Sequence, residues 1–124
     1  MDPAYPPGSG KIRNWTVKHV DEQPPEGGDC GERRRLFSRD DPSPAAFIHR
    51  VRIRDAKPHY HRVATEYYYV LEGEGLMVLD GEEVRIRAGN CIEVRPGTVH
   101  SARGDVLVLV IGVPSISDGD ILYP

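Results

Sequence analysis

The stretch that decides the fold reads His59-Tyr60-His61-Arg62-Val63-Ala64-Thr65-Glu66-Tyr67-Tyr68-Tyr69-Val70-Leu71-Glu72-Gly73. Side chains alternate between the two faces of an extended strand, so His59 and His61 project to the same side, and Glu66 can return to that side after a short turn. The aromatic and β-branched residues after Glu66 are typical of a strand, and Glu72-Gly73-Glu74-Gly75 predicts a turn. We therefore expect two imidazoles and a carboxylate to converge on a β-hairpin.

Residues 46–54 form the clearest alternating pattern in the chain. One face carries Phe47, His49, Val51 and Ile53, and the other carries three arginines. A period of two indicates a half-buried strand, so the apolar face should point inward. His49 then lies inside, either as a hydrogen-bonded core residue or as part of a pocket, and the sequence leaves both readings open.

The remaining strands are predicted from apolar runs between turn residues. Asp80-Gly81 predicts a tight hairpin between residues 76–79 and 83–86. Further strands are expected at residues 91–94 and 106–113, the second buried on both sides, and weaker ones at residues 11–20 and 34–38. No helical period competes with these strands, so the prediction is an all-β sandwich or barrel in a single domain.

Size, composition and charge exclude several classes of protein. With 124 residues, 39% of them hydrophobic and 28% charged, the chain is expected to be one soluble domain. It has no apolar run of membrane-spanning length and no secretory signal pattern, so we expect a cytoplasmic protein without a membrane partner. A net charge of −3 gives no general attraction to nucleic acid. The basic run Arg33-Arg34-Arg35 is interpreted as a solvated strand edge, and Cys30 and Cys91 as structural or incidental residues.

A third histidine, His100, follows the rigid turn Pro96-Gly97. Here the spacing resembles that of the cupins. His59-x-His61, four residues, Glu66, six residues and Gly73 resemble the first cupin motif, and Gly89, seven residues, Gly97, two residues and His100 resemble the second. The resemblance covers roughly residues 45–113 and implies a small single-domain cupin, whose fold is a double-stranded β-helix of the jelly-roll type.

The resemblance also implies a metal site. The family's four ligand-type positions are filled by His59, His61, Glu66 and His100. The sequence departs from the family pattern at backbone positions only, where Ile53 and Gly104 replace a frequent glycine and asparagine, and Pro96 lies one residue late. We expect one divalent transition metal per chain, and imidazole with carboxylate suits Fe, Mn, Ni, Zn, Co and Cu alike.

Two classes of function fit such a site. The first is a small metal-dependent enzyme, of the dioxygenase, isomerase or lyase type, acting on a small oxygen-bearing metabolite chelated to the ion. The second is a non-catalytic module that binds or senses a small molecule. Glu66, Tyr68 and His49 are the candidate catalytic residues, whereas Tyr67 and Tyr69 are expected to pack away from the site.

The chain is divided into two expected parts. Residues 1–20 form an N-terminal arm with a first strand that could be exchanged with a partner subunit, and residues 21–124 form the cupin barrel. Small cupins are commonly dimers, so the resemblance implies a homodimer that binds a small-molecule ligand and no nucleic acid.

Overall fold

A computed structural model of the chain describes residues 14–28, 30–41, 45–115 and 118–124. The elements in these ranges are seven strands and two short 3₁₀ turns: the turn Val20–Glu22, β1 Glu26–Gly28, β2 Gly31–Phe37, β3 Phe47–His59, β4 Thr65–Leu79, β5 Glu82–Arg87, β6 Cys91–Val94, β7 His100–Val113 and the turn Asp118–Asp120. The prediction of an all-β protein is confirmed. Within the described residues, no helix is long and apolar enough to cross a membrane.

The strands form one antiparallel sheet in the order β1-β2-β3-β7-β4-β5, and β6 pairs with β4 beside β5. The sheet curls so that β2, β3 and β4 line one cavity, but hydrogen bonds among the described residues do not close it. The expected hairpin is wrong, because β7 lies between β3 and β4 and pairs with both. The expectation that this strand is buried on both sides is wrong: Val106, Val108 and Val110 on its inward face are buried, whereas Leu107, Leu109 and Ile111 on its outer face are only partly buried.

The register places the inward side chains in rows across the sheet. Residues paired directly across neighbouring strands lie on the same face. One row contains Phe47, Gly112, Glu66 and Val94; the next contains Arg35, His49, Val110, Tyr68 and Ile92; and the third contains Arg33, Val51, Val108 and Val70. The apolar members form the core together with Ile53, Ala56, Met77, Ile86, Ala102 and Val106. The polar members are therefore displayed on the concave face of a packed sheet.

The turn expected at residues 72–75 is wrong, because β4 continues through it to Leu79. The pairing with β7 shifts between Val70 and Glu72, and Gly73 has φ of 87°. A side chain at Gly73 would lie 2.3 Å from the backbone oxygen of Asp105. Glycine here permits a bulge and a close strand approach and does not end the strand. By contrast, the hairpin at Asp80-Gly81 is confirmed, and both residues have the positive φ that such a turn requires.

The N-terminal part differs most from expectation. Residues 14–19 contain no strand, residues 11–13 lie outside the described ranges, and Trp15 and Val17 are 48% and 82% exposed. The strand β1 forms at Glu26–Gly28, although the prolines and glycines of residues 24–28 are typical of a loop. Its three residues pair with β2, which itself begins earlier than predicted. Pairing with a neighbouring strand here outweighs local composition.

We expect Gly112→Ala to destabilise the sheet beside Glu66. A Cβ at Gly112 would lie 1.7 Å from Cε2 of Phe47, so the buried ring or the β7 backbone must move. Such overpacking should lower the free energy of unfolding by about 1–3 kcal/mol in urea denaturation. Gly27→Ala is the matched control, because nothing lies within 4 Å of its Cβ position. Equal effects of the two changes would contradict this account of Phe47 packing.

Candidate metal centre

Four buried side chains converge at one end of the cavity. The ligand atoms of His59, His61, Glu66 and His100 all lie within 4.8 Å of one another, a group that could hold a metal ion. Each residue is at most 5% exposed. The structure thus brings together the four residues singled out in the sequence. His59 ends β3, His100 begins β7 directly opposite it, and Glu66 is the second residue of β4.

His61 lies outside the strands, contrary to the expectation that it extends a strand with His59. It belongs to the connection between β3 and β4. Tyr60 exchanges two backbone hydrogen bonds with Leu122, of 2.8 and 3.0 Å. The carboxylate of Asp120 accepts hydrogen bonds from the backbone N–H groups of Arg62, Val63 and Ala64, at 2.8, 3.1 and 3.2 Å. We call Asp120 and Leu122 the C-terminal clasp, since together they fix the loop that carries His61.

The three imidazoles are oriented in the same way. Each directs Nδ1 to a backbone carbonyl oxygen: His59 to Lys57 at 2.7 Å, His61 to Asp120 at 2.8 Å, and His100 to Thr98 at 2.9 Å. A carbonyl oxygen can only accept, so Nδ1 carries the proton in each ring. Each Nε2 therefore has its lone pair available to an ion, the arrangement that outer hydrogen bonds give to metal-binding histidines.

The electrostatics of the cluster call for a cation. Nε2 of His61 and Nε2 of His100 each lie 3.1 Å from Oε1 of Glu66. Burial raises the pKa of Glu66, but protons on Nε2 of His100 and His61 outweigh it and hold that pKa well below its usual range, and a cation bound at Nε2 would replace those protons. Burial lowers the pKa of His61, but Glu66 more than offsets it, so the net shift is upward. Burial lowers the pKa of His59, and the other two imidazoles add to this effect.

The residues present fit a divalent transition metal. Nε2 of His61 is buried and makes no hydrogen bond of good geometry among the described residues, despite its proximity to Glu66. Two ligands bound at right angles, each about 2.1 Å from an ion, lie about 3.0 Å apart, close to the separations seen here. Three nitrogen lone pairs and one carboxylate are a donor set that such ions accept. A shared ion would satisfy the atom that the protein leaves without a partner.

Tyr68 and His49 line the same cavity, which has a volume of about 370 Å³. The hydroxyl of Tyr68 donates to Oε1 of Glu66 at 3.1 Å, and burial raises its pKa well above the ordinary value. His49 is half-buried on the cavity wall, and its Nε2 has no hydrogen bond within the described ranges. Burial, assisted by Arg33 and Arg35, lowers the pKa of His49 to about 4, so this imidazole is neutral near pH 7.

The interpretation of the basic run as a solvated edge is wrong for two of its three members. Arg33 and Arg35 line the cavity, whereas Arg34 lies on the opposite face of β2 and donates to the backbone oxygen of Gln23. The period of two along Arg33-Arg34-Arg35 was the available signal. It identifies which arginines share a face, but not that this face is concave.

Comparison with known proteins defines the class to which this fold and site belong. Residues 53–112 match the family model described as the cupin domain. A protein from Planctomyces limnophilus shares the fold with a TM-score of 0.80 and 23% identity, over 87% of this chain and 96% of that one. The match and the fold together support a small single-domain cupin, as the motif spacing predicted.

Two structures with named activities also share this fold. Pac13, described as a nucleoside dehydratase and studied from Streptomyces, aligns with a TM-score of 0.78 and 20% identity, over 89% of this chain and 91% of that one. A predicted oxalate decarboxylase from Thermotoga maritima aligns with a TM-score of 0.71 and 25% identity, over 80% and 99%. Among curated proteins, none is significantly similar to this sequence.

We expect Asp120→Ala to loosen the loop that carries His61. Leaving three backbone N–H groups without their acceptor should lower the free energy of unfolding by about 1–3 kcal/mol and weaken metal binding roughly 10- to 100-fold. Urea denaturation and metal titration measure the two effects. The second effect is informative because the carbonyl that orients His61 belongs to the backbone and remains in the variant.

The contribution of this carboxylate should also depend on pH in a defined direction. Burial raises the pKa of Asp120, but its three backbone contacts outweigh this and lower it below the ordinary 3.8. A pKa that is lower in the folded state stabilises the fold above the unfolded value and loses that contribution as pH falls through the folded value. The stability difference between wild type and Asp120→Asn should therefore be smaller at pH 3 than at pH 6. A stability difference that stays the same at both pH values would contradict a lowered pKa for Asp120.

Proposed function

We propose that this chain is a metal-dependent enzyme that holds one divalent transition metal through His59, His61, Glu66 and His100 and acts on a small oxygen-bearing metabolite. The observation that carries the proposal is the buried Nε2 of His61, which makes no hydrogen bond of good geometry among the described residues and stands 3.1 Å from a carboxylate oxygen. A buried polar atom without a partner is costly, so its persistence favours a ligand at that point.

Three neutral imidazoles and one carboxylate would leave about one net positive charge on a divalent ion, which supplies Lewis-acid polarisation of a bound carbonyl or hydroxyl oxygen. The donor set accepts Fe, Mn, Ni, Zn, Co and Cu. Of the dioxygenase, isomerase and lyase types, the lyase type draws support from the named activities of the structural neighbours, a dehydratase and a predicted decarboxylase.

The protein's own groups have distinct proposed roles. Tyr68 stays protonated because its pKa lies well above the ordinary value, so its hydroxyl donates a hydrogen bond to Glu66 Oε1 and is the proposed proton donor to a bound substrate. Glu66, with its lowered pKa, stays ionised and supplies the negative charge. His49 is neutral, and its Nε2 on the cavity wall has no hydrogen bond among the residues that the structure describes, so it can contact the substrate.

A homodimer is also part of the proposal. The outer face of β4 exposes Tyr67, Tyr69 and Leu71, and Val113 at the end of β7 is also exposed. Exposed aromatic and aliphatic residues on one sheet are typical of a surface that a partner covers.

Metal content tests the ligand assignment. Protein purified without a histidine tag should contain close to one transition-metal ion per chain, or should load one when Mn, Fe, Ni or Zn is added. His61→Ala and His100→Ala should each weaken loading by more than about 100-fold, since a lost ligand costs more than a lost outer contact. Elemental analysis and metal titration measure both.

His49→Ala is the matched control for these variants. It removes an imidazole from the same cavity but not from the cluster, so metal loading should be retained. Loading that survives in His61→Ala and His100→Ala would refute the assignment, and wild-type protein that takes up no ion would refute the metal function itself.

Tyr68→Phe should separate catalysis from binding. The change removes one hydroxyl and one hydrogen bond to Glu66, while the aromatic packing is kept. Metal loading should stay within about tenfold of wild type. If Tyr68 is the proton donor, kcat should fall roughly 10²- to 10⁴-fold with little change in KM. The assay is turnover of a panel of hydroxy acids, diketones and diols by the metal-loaded protein. Binding without turnover under every metal would favour the non-catalytic module.

A further inference from the structure

We propose that Arg33, Arg35 and His49 form an oxyanion subsite, which binds a carboxylate or phosphate group on the same small ligand that reaches the histidine cluster. The subsite names the substrate class of the proposed enzyme. Binding of the chelating end of the ligand at the histidine cluster rests on that proposed function. The ligand would be a compact acid, with chelating hydroxyl or carbonyl oxygens at one end and an anionic group at the other.

The sheet register places the two arginines and the histidine on one surface. Arg35 pairs directly with His49, and Arg33 pairs with Val51, so all four side chains share the inward face. Arg33, Arg35 and His49 line the same cavity as His59, His61 and Glu66. A single ligand in this cavity can therefore contact both groups of residues.

Glu26 holds the two arginines in place. Its Oε1 accepts a hydrogen bond from Nε of Arg33 at 2.9 Å and another from Nε of Arg35. Each guanidinium uses only its Nε–H in this contact, and the terminal amino groups make no hydrogen bond within the described ranges. Two preorganised guanidinium groups with free amino groups match the planar geometry of a carboxylate and the oxygens of a phosphate.

The charge of the cavity favours an anion. The arginines that line it are Arg33, Arg35 and Arg39, and the carboxylates on or beside it are Glu26, Asp40, Glu66 and Asp120. These three positive and four negative charges leave one negative charge. A divalent ion in the histidine cluster therefore gives a formal excess of one positive charge. In a partly enclosed cavity such an excess raises the affinity for anions and lowers it for neutral analogues.

His49 supplies a second polar group at the subsite. Its Nε2 is buried and has no hydrogen bond in the part of the chain that the structure describes. His49 is paired directly with Arg35 in the sheet, so an anionic group bound by Arg35 lies next to the His49 imidazole. A hydrogen bond to the ligand would satisfy an atom that the protein alone leaves unpaired.

The dimensions limit the ligand to a small molecule. Arg35 and Tyr68 belong to one row and are three strand spacings apart, about 14 Å measured along the curved sheet and less across the cavity. The volume of about 370 Å³ lies at the small end of ligand pockets. A single ring or short chain carrying both functional groups satisfies these limits.

The test compares an acid with its neutral amide. Zinc-loaded wild-type protein is titrated calorimetrically with 3,4-dihydroxybenzoate and with 3,4-dihydroxybenzamide, which share the chelating diol and differ in charge at the other end. The acid should bind at least about tenfold more tightly than the amide. The double variant Arg33→Gln/Arg35→Gln should lose this preference while its zinc content and its affinity for the amide stay unchanged.

Arg54→Gln is the matched control, since Arg54 is an exposed arginine outside the cavity and its loss removes the same charge. It should keep the preference for the acid. Arg35→Lys keeps the charge but loses the planar fork, so it should reduce the preference only in part; it serves as the test if the double variant does not fold. Equal binding of acid and amide by wild type, or a preference that survives the loss of both arginines, would overturn the subsite.

Two further titrations distinguish a carboxylate from a phosphate as the bound group, and failure of the subsite from failure of the metal function. Inorganic phosphate and acetate are used as competitors, and the one that displaces the acid at lower concentration identifies the preferred oxyanion. If the protein loads no metal, phosphate is titrated into wild type and the double variant directly. Binding that requires the arginines would then retain the subsite while the metal function fails, and binding that does not require them would refute the subsite.

Discussion

Three hydrogen bonds from imidazole Nδ1 to backbone carbonyls are the interactions on which the candidate site depends. They fix the tautomer and the direction of His59, His61 and His100 at once, because the acceptors belong to the backbone and cannot rotate away. The carbonyls come from the end of β3, from the turn before β7 and from the C-terminal clasp. The fold therefore has to bring three distant backbone segments together before any metal chemistry is possible.

Burial gives these hydrogen bonds their chemical consequence. In water, three imidazoles beside a carboxylate would be hydrated separately, whereas here Glu66 is held against two ring nitrogens in a nearly dry environment. Gly112 leaves room for the ring of Phe47 in the same row, and Tyr68 in the next row donates to the carboxylate. The site is thus built into the inward face of the sheet, and the core that stabilises the fold also excludes water from the ligands.

The sequence could predict the cluster because its signals are local. His59, His61 and Glu66 lie close together in the chain, and His100 follows a distinctive turn, so spacing alone indicates a cupin. Sequence reasoning failed where pairing between residues distant in the chain determines the structure. Gly73 and Gly75 are as compatible with a bulge as with a turn. No local sequence signal indicates that residues 60–64 connect β3 to β4 across β7, which lies between these two strands. Asp120 contacts His61 and Ala64, which precede it in the chain by 59 and 56 positions. The inward direction of Arg33 and Arg35 depends on the curvature of the sheet.

The central position of β7 has a consequence for how the protein folds. Neither β3 nor β4 has its long partner until residues 100–113 have been synthesised, so both strands must wait with unpaired edges. Contacts of such wide sequence separation slow folding and leave intermediates prone to aggregation. Since His100 is the first residue of β7, docking of this strand completes the core and adds His100 to the cluster, and the C-terminal clasp then fixes His61. A metal ion that binds the finished cluster and not the unfolded chain would then stabilise the folded state by mass action.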